Sequence, residues 1–245
     1  MKRLIIAAMM AGLGAGATAQ TNIQEMYDIQ RGHMTTTIEG FYPDKWGSTY
    51  FFNDIYHPTG HNTTTPNGYY TEIARSLNFW KDTRLAPLSL RVEWNGGQHA
   101  NNAWLFGVEY GLHNKDYTNN LNLILFYKDI RRAKDNIPLQ FTLVWNLNDF
   151  LGVKGLLFNG FVDVWGEKNV WGTKADGSDD ATKVVLLSEP QLWYNVGRHF
   201  GCRNLNVGGE VEVTANFAGG WHSGAEWNRN KGLNIAPCLG IKWVF

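Results

Sequence analysis

Leu233-Asn-Ile-Ala-Pro-Cys-Leu-Gly-Ile-Lys-Trp-Val-Phe245 closes the chain, and its side chains sort by parity. Leu233, Ile235, Leu239, Ile241, Trp243 and Phe245 fall on one face of an extended strand, opposite Asn234, Cys238, Gly240, Lys242 and Val244. An edge strand in water is usually blunted by charge or proline. This one stays apolar to its final aromatic. Closing the sheet into a barrel removes the edge altogether, which makes a barrel the favoured reading.

Working back from that strand, the same period of two recurs. Leu88, Leu90, Val92 and Trp94 alternate with Ser89, Arg91, Glu93 and Asn95. Phe141, Leu143, Trp145 and Leu147 alternate with Gln140, Thr142, Val144 and Asn146, and Val207, Val211 and Val213 with Gly208, Glu210, Glu212 and Thr214. No stretch sustains helical periodicity, so the chain reads as all-β. A soluble sandwich and a membrane barrel both alternate in this way. The terminal strand separates them: it resembles the strand by which bacterial outer-membrane barrels are recognised for insertion, which makes the barrel-assembly machinery an expected partner through Phe245.

Composition agrees. In 245 residues there are 22 basic and 22 acidic side chains, 14% aromatics, 27 glycines, 11 tryptophans and 2 cysteines. That balance excludes a disordered chain, a coiled coil and a basic nucleic-acid binder, and two cysteines make no disulfide scaffold. Lys2 and Arg3 precede an apolar run from Leu4 to about Ala15 and the small-x-small trio Ala17-Thr18-Ala19, which reads as a signal peptide over residues 1–19 cleaved before Gln20. No later apolar run is long enough for a membrane-spanning helix. The expectation is a single closed antiparallel transmembrane β-barrel over residues 20–245, exported to the bacterial outer membrane and surrounded by its lipid.

Twelve strands are expected, over about 22–31, 34–42, 48–57, 68–80, 88–96, 103–112, 119–129, 138–147, 155–165, 183–196, 204–217 and 231–245. Ten or eleven strands also fit. The even-numbered connections are compact and suit periplasmic turns. Among the odd ones, Pro58–Asn67, Ile130–Ile137, Gly166–Thr182 and Ala218–Asn230 read as outer loops, whereas the connection at Gly32 and His33 is short. Trp80, Trp94, Trp104, Tyr110, Tyr127, Trp145, Tyr194 and Trp243 lie toward strand ends, where interfacial girdles belong.

If the apolar face meets lipid, the opposite face lines the lumen. On this register Glu39, Glu72, Glu93, Glu109, Asp163, Glu189, Glu210 and Glu212 point inward, against the basic Arg91, Lys128 and Lys242. A surplus of carboxylates attracts cations and repels anions, so a neutral polyhydroxylated or cationic solute is the expected cargo. Phe41, Phe126, Phe161, Trp165 and Trp193 share that face, and Phe52 and Tyr56 join them beside Asp54. A base or sugar ring stacks on such faces for about 1–3 kcal/mol per base. The alternative is that these rings simply fill a narrow barrel.

A family resemblance adds to this. Glu39-Gly-Phe-Tyr-Pro-Asp-Lys-Trp-Gly-Ser-Thr-Tyr-Phe-Phe-Asn-Asp54 resembles the start of Tsx-type nucleoside-specific outer-membrane channels. Leu187-Ser-Glu-Pro-Gln-Leu-Trp-Tyr194, Asn95-Gly-Gly97 and Asn216-Phe-Ala-Gly219 resemble more closely an uncharacterised Tsx-like family of Gram-negative outer-membrane proteins, over most of the mature chain. The resemblance implies a twelve-stranded barrel passing nucleosides or related solutes. It carries over to Glu39, Lys45, Trp46, Phe52 and Asp54, of which Glu39, Phe52 and Asp54 face a solute.

The expected function is therefore an outer-membrane channel for passive solute uptake, needing no cofactor. Two alternatives stand beside it: a plugged structural or adhesive barrel, and a barrel hydrolase. For the hydrolase, His222 and Ser223 are adjacent and point opposite ways on any strand, so the stretch reads as a loop and the chain as no enzyme. Glu210 and Glu212 lie about 7 Å apart on one face, a spacing that suits glycoside hydrolysis but that any polar wall supplies. The histidines are scattered without ligand spacing, His57 with His61 being the nearest pair, so no metal site is expected. Cys202, in a turn, and Cys238, on the last strand, would have to approach across neighbouring strands to pair.

Overall fold

The structure is a computed structural model that describes residues 20–57, 66, 68–98, 101–133, 136–217 and 231–245. The leader expected over residues 1–19 and most of the connections 58–67 and 218–230 lie outside the described residues, as do His61, His99, His222 and Ser223.

The strands follow in order: β1 (Gln20–Asp28), β2 (His33–Asp44), β3 (Gly47–Tyr56), β4 (Gly68–Leu77), β5 (Leu88–Gly97), β6 (Ala103–His113), β7 (Asn119–Ile130), β8 (Leu139–Asn148), β9 (Leu156–Thr173), β10 (Asp179–Ser188), β11 (Gln191–Tyr194), β12 (Leu205–Ala215) and β13 (Leu233–Val244). Every pairing is antiparallel, and β13 pairs with β1 over Asn22↔Val244 to Asp28↔Cys238, so the sheet closes on itself. β10 and β11 are two halves of one wall strand. Ser188 stands opposite Val162 and Val213, and Gln191 opposite Asn159 and Glu210, without a change of register. The result is a closed antiparallel twelve-stranded barrel.

Pro190 makes the interruption, because it has no N–H to give to the ladder. Gly160 faces it at φ +147°, where a Cβ would stand 2.3 Å from the Glu189 carbonyl oxygen, so the break is accommodated by a glycine on the neighbouring strand.

The barrel is inside-out relative to a soluble domain. Leu105, Trp193 and Val185 are wholly buried in its interior, whereas Leu125 (53% exposed), Leu239 (63%) and Ile241 (52%) stand on the outer surface with Phe106, Phe141 and Ile235. An apolar band of this kind on a closed sheet is what a membrane-spanning barrel requires. Trp104 is directly opposite Trp94 on the outer wall, and Tyr110, Tyr127 and Trp243 are exposed on the same surface. Trp80 is instead held in the β4–β5 turn, its indole N–H donating to the Leu88 carbonyl at 2.7 Å.

Both described ends of the chain meet at one rim, where the short turns also lie; this is the turn end, and the opposite rim is the loop end. The clearest departure from the sequence reading is Gly166–Thr182, expected as a loop. β9 runs on to Thr173 and β10 starts at Asp179, so the segment is a ribbon extending past the loop end. Its pairing slips twice, at Asp180/Ala181 and Thr182/Val184, and those bulges erase the period of two. The Trp171 indole N–H to Thr182 (2.9 Å) and the Lys168–Asp179 ion pair (3.1 Å) tie its two arms.

Candidate functional site

All fourteen residues read as pore-lining from sequence project to the interior, but they divide into three settings. Phe52, Asp54, Glu72, Phe161, Asp163, Trp165, Glu189 and Glu212 line a cavity of about 90 Å³ toward the loop end. Glu109 lines a separate cavity of about 320 Å³ at the turn end, with Asp44, Lys81, Ser89, His113 and Tyr117. Glu39, Arg91, Glu93, Trp193 and Glu210 line neither.

Those between the cavities make a filled waist. The Arg91 guanidinium donates to Glu93 at 2.9 Å and to Glu109 at 3.4 Å, and Ser76 donates to Glu109 at 2.6 Å. Glu39 accepts from Asn22 (2.9 Å), Gln24 (3.1 Å) and Tyr50 (3.0 Å). Trp193 is 0% exposed, packed against Met26, Cys238 and Leu157, with its N–H on Gln191 at 2.9 Å. Gln191 in turn donates to Glu210 at 2.8 Å. These groups are braced into the wall rather than presented to a solute.

The loop-end cavity is different in character. Rings of Phe52, Tyr56, Tyr70, Phe161, Trp165 and Phe217 surround it, with Phe52 and Tyr70 centroids 5.7 Å apart. Between them stand carboxylates, three of which keep short-range partners: Thr37 donates to Asp54, Tyr70 to Glu72 and Thr142 to Asp163. Glu212 is paired with Arg31 at 2.8 Å, and Arg31 also binds Asp28. Lys128 also reaches this cavity, but its ammonium is spent on the wall, 2.7 Å from the Gln140 amide oxygen and 4.1 Å from the Trp165 ring centroid. Facing rings with intervening carboxylates can hold a flat solute that bears hydroxyls or positive charge.

Sequence reasoning missed Arg31, Tyr50, Tyr70, Asn101, Glu167 and Phe217. Tyr50 and Tyr70 were findable, because they share the parity of Phe52 and Glu72. Arg31 was not: it sits in the β1–β2 turn and folds back past β13 to reach Glu212 on β12.

Glu210 and Glu212 share a face as read, but Gln191 holds one and Arg31 the other, so they are not set opposite one another across a substrate. Cys202 and Cys238 are both free; Cys238 is buried at mid-strand, opposite Asp28 and Glu210, far from the turn that carries Cys202. Among the described residues no group of three or more His, Cys, Asp or Glu is arranged to hold a metal.

Comparison with known proteins bears on the fold. Residues 21–245 match the family model described as Domain of unknown function (DUF5020). No curated protein sequence matches the chain. Among solved structures, one described as "NanC porin structure in rhombohedral crystal form" superposes over 91% of this chain and 98% of that one, with a TM-score of 0.51 at 9% identity. A second, described as "Unveiling the Mechanism Behind the in-meso Crystallization of Membrane Proteins", covers 92% of this chain and 83% of that one, with a TM-score of 0.44 at 7% identity. At 9% identity the first of these matches speaks to the barrel fold alone.

Proposed function

We propose, from the premise that the chain belongs to the DUF5020 family and that this description assigns no activity, that the barrel is an outer-membrane channel for a small cationic or neutral ring-bearing solute. The porin-like fold supports a channel in general rather than an enzyme. The observation that carries the finer reading is the loop-end cavity, where the rings of Phe52, Phe161 and Trp165 alternate with Asp54, Glu72, Asp163 and Glu189. Nucleosides are the solute class brought forward by the likeness of Glu39–Asp54 to nucleoside channels. Their bases offer a face for stacking and their ribose hydroxyls donate to carboxylates. In this reading residues 1–19 direct export, and the strand ending at Phe245 engages the barrel-assembly machinery.

Planar-bilayer recording of the purified protein tests it. A reversal potential on the cation side in a KCl gradient, with concentration-dependent block by a nucleoside, is the expected result. Anion preference overturns it. A second reading is favoured by the filled waist: a plugged structural or adhesive barrel, with Trp193 and Leu105 wholly buried inside. Absence of any conductance, together with no swelling of liposomes in small sugars, selects that reading.

A further inference from the structure

The turn-end cavity lies across the waist from the loop-end one and is the larger of the two, at about 320 Å³. That volume is in the range of small-molecule sites, about 300–1,000 Å³. Residues in or flanking three successive connections, β2–β3, β4–β5 and β6–β7, line it. The middle connection is held from both sides. The Asn78 N–H donates to the Trp46 carbonyl and the Gly111 N–H to the Pro87 carbonyl, both at 2.8 Å. Lys81 Nζ donates to the Lys45 carbonyl and the Asn78 side-chain amide to the Ala86 carbonyl, both at 2.6 Å. The cavity is therefore built by the fold and needs no closing motion to receive a ligand.

Its polar groups are only partly used. Ser89 on β5 stands directly opposite Glu109 on β6, and both line the cavity. Glu109 Oε2 accepts from Ser76 at 2.6 Å and from Arg91 at 3.4 Å, whereas among the described residues Glu109 Oε1 and the Ser89 hydroxyl have no hydrogen-bond partner. His113 Nδ1 donates to the Asn114 carbonyl at 2.8 Å, which leaves Nε2 as an acceptor. The His113 and Tyr117 rings stack with centroids 3.8 Å apart and 19° between their planes. Tyr117 does so from a backbone φ of +58°, a conformation that aromatic residues seldom adopt. The charges nearby balance: Asp44 pairs with Arg75, Glu109 and Glu93 share Arg91, and Lys81 supplies the remaining positive charge. Such a site draws no ion in particular.

We propose that this cavity binds a neutral monosaccharide entering from the turn end, with sugar hydroxyls on Glu109 Oε1, Ser89 and His113 Nε2 and the C–H face of the sugar ring on Tyr117. An apolar solute would leave the carboxylate and hydroxyl unpaired, and an ion would gain nothing from balanced charges. A ring that carries hydroxyls on its edge and C–H groups on its face uses both the polar groups and the aromatic one. The waist separates this cavity from the loop-end one, so the site is filled without passage through the barrel and stands whether or not the barrel conducts.

The test uses the full chain in lipid nanodiscs, titrated with D-glucose, D-galactose, D-mannose and N-acetyl-D-glucosamine, and with the charged D-glucosamine and D-glucuronate, and followed by saturation-transfer-difference NMR. Saturable binding of at least one neutral sugar, tighter than that of either charged one, is expected. Tyr117→Asn should weaken it about tenfold through loss of the ring face. Asparagine suits the left-handed backbone there, so the turn keeps its shape. Ser89→Trp should abolish binding by filling the cavity. Leu151→Asn, the same kind of change at another left-handed turn position outside the cavity, should leave it unchanged. No saturable binding of any of these neutral sugars, tighter binding of a charged one, or equal binding by the native protein and Tyr117→Asn each overturns the proposal. Sugar binding by a barrel that passes no ions supports the site and counts against the channel alone.

Discussion

The ammonium of Lys242 stands 4.5 Å from the centroid of the Trp193 ring, inside the barrel. Lys128 repeats the arrangement over Trp165 at 4.1 Å, and in both cases the indole N–H is fixed by the side chain two residues away, Gln191 for Trp193 and Glu167 for Trp165. Each ammonium is thereby held at the wall by a ring face and an amide oxygen, which fixes its position without neutralising its charge. In the proposed reading the carboxylates around the loop-end cavity outnumber these lysines and set the sign of the potential in the lumen.

Trp193→Ala is expected to undo one of these restraints. It removes the ring under Lys242 and leaves a cavity beside Met26 and Leu157. Cation preference should fall, seen as a reversal potential nearer zero in a KCl gradient. The barrel should also lose about 3–5 kcal/mol of stability, the usual cost of deleting a fully buried large aromatic. An unchanged reversal potential in a folded variant would show that Lys242 does not contribute to selectivity through this ring.

Arg91→Ala acts on the waist. Arg91 is the shared partner of Glu93 and Glu109, and all three side chains are nearly sealed from solvent. Removing one member of a buried charged network costs about 3–5 kcal/mol, because the remaining charges lose their partner. The variant should therefore unfold at lower urea concentration. If the waist limits conduction, its single-channel conductance should rise, since the guanidinium no longer crosses between Glu93 and Glu109.

The wall was legible from sequence because side-chain direction in a strand is a matter of parity alone. Glu210 and Glu212 on β12 and Glu93 on β5 project inward as alternation requires, and the twelve-strand count follows from the turns between such segments. Accessibility within the lumen was not legible. Phe161 and Trp193 have the same inward parity, yet one lines a cavity and the other is completely sealed. That difference is set by what reaches across from elsewhere in the barrel, such as Met26 and Cys238 against Trp193, and no local pattern encodes it. The β9–β10 ribbon is hidden in the sequence for a related reason: two register slips cancel the period on which strand reading depends.

Gly160→Ala probes the interrupted wall strand. A methyl at this position would sit 2.3 Å from the Glu189 carbonyl oxygen and 2.9 Å from the Pro190 Cα, on a residue whose φ of +147° already disfavours a side chain. The backbone must move, at a cost of about 1–3 kcal/mol for forced overpacking. The shift displaces Glu189, so the variant should show both reduced stability and altered cation selectivity. Pro190→Ala removes the interruption without touching the interior face, and should leave selectivity as it is.

Phe52→Leu separates stacking from bulk in the loop-end cavity. Phe52 lies within 5.7 Å of Tyr70 and 6.2 Å of Tyr50, centroid to centroid, and Glu39 stands directly opposite it on β2. Leucine keeps an apolar side chain there but offers no ring face. If a flat solute is held between these rings, losing one face should weaken its block of the channel by about 5–150-fold, the equivalent of about 1–3 kcal/mol per stacked base. A linear polyol has no ring to lose contact with, so its passage through the same variant should hardly change. Dose–response curves for a nucleoside and for sorbitol, recorded on the native protein and on Phe52→Leu, make the comparison. Equal loss for both solutes would mean that the substitution reshapes the cavity, and equal retention would mean that the rings brace the barrel interior without touching what passes.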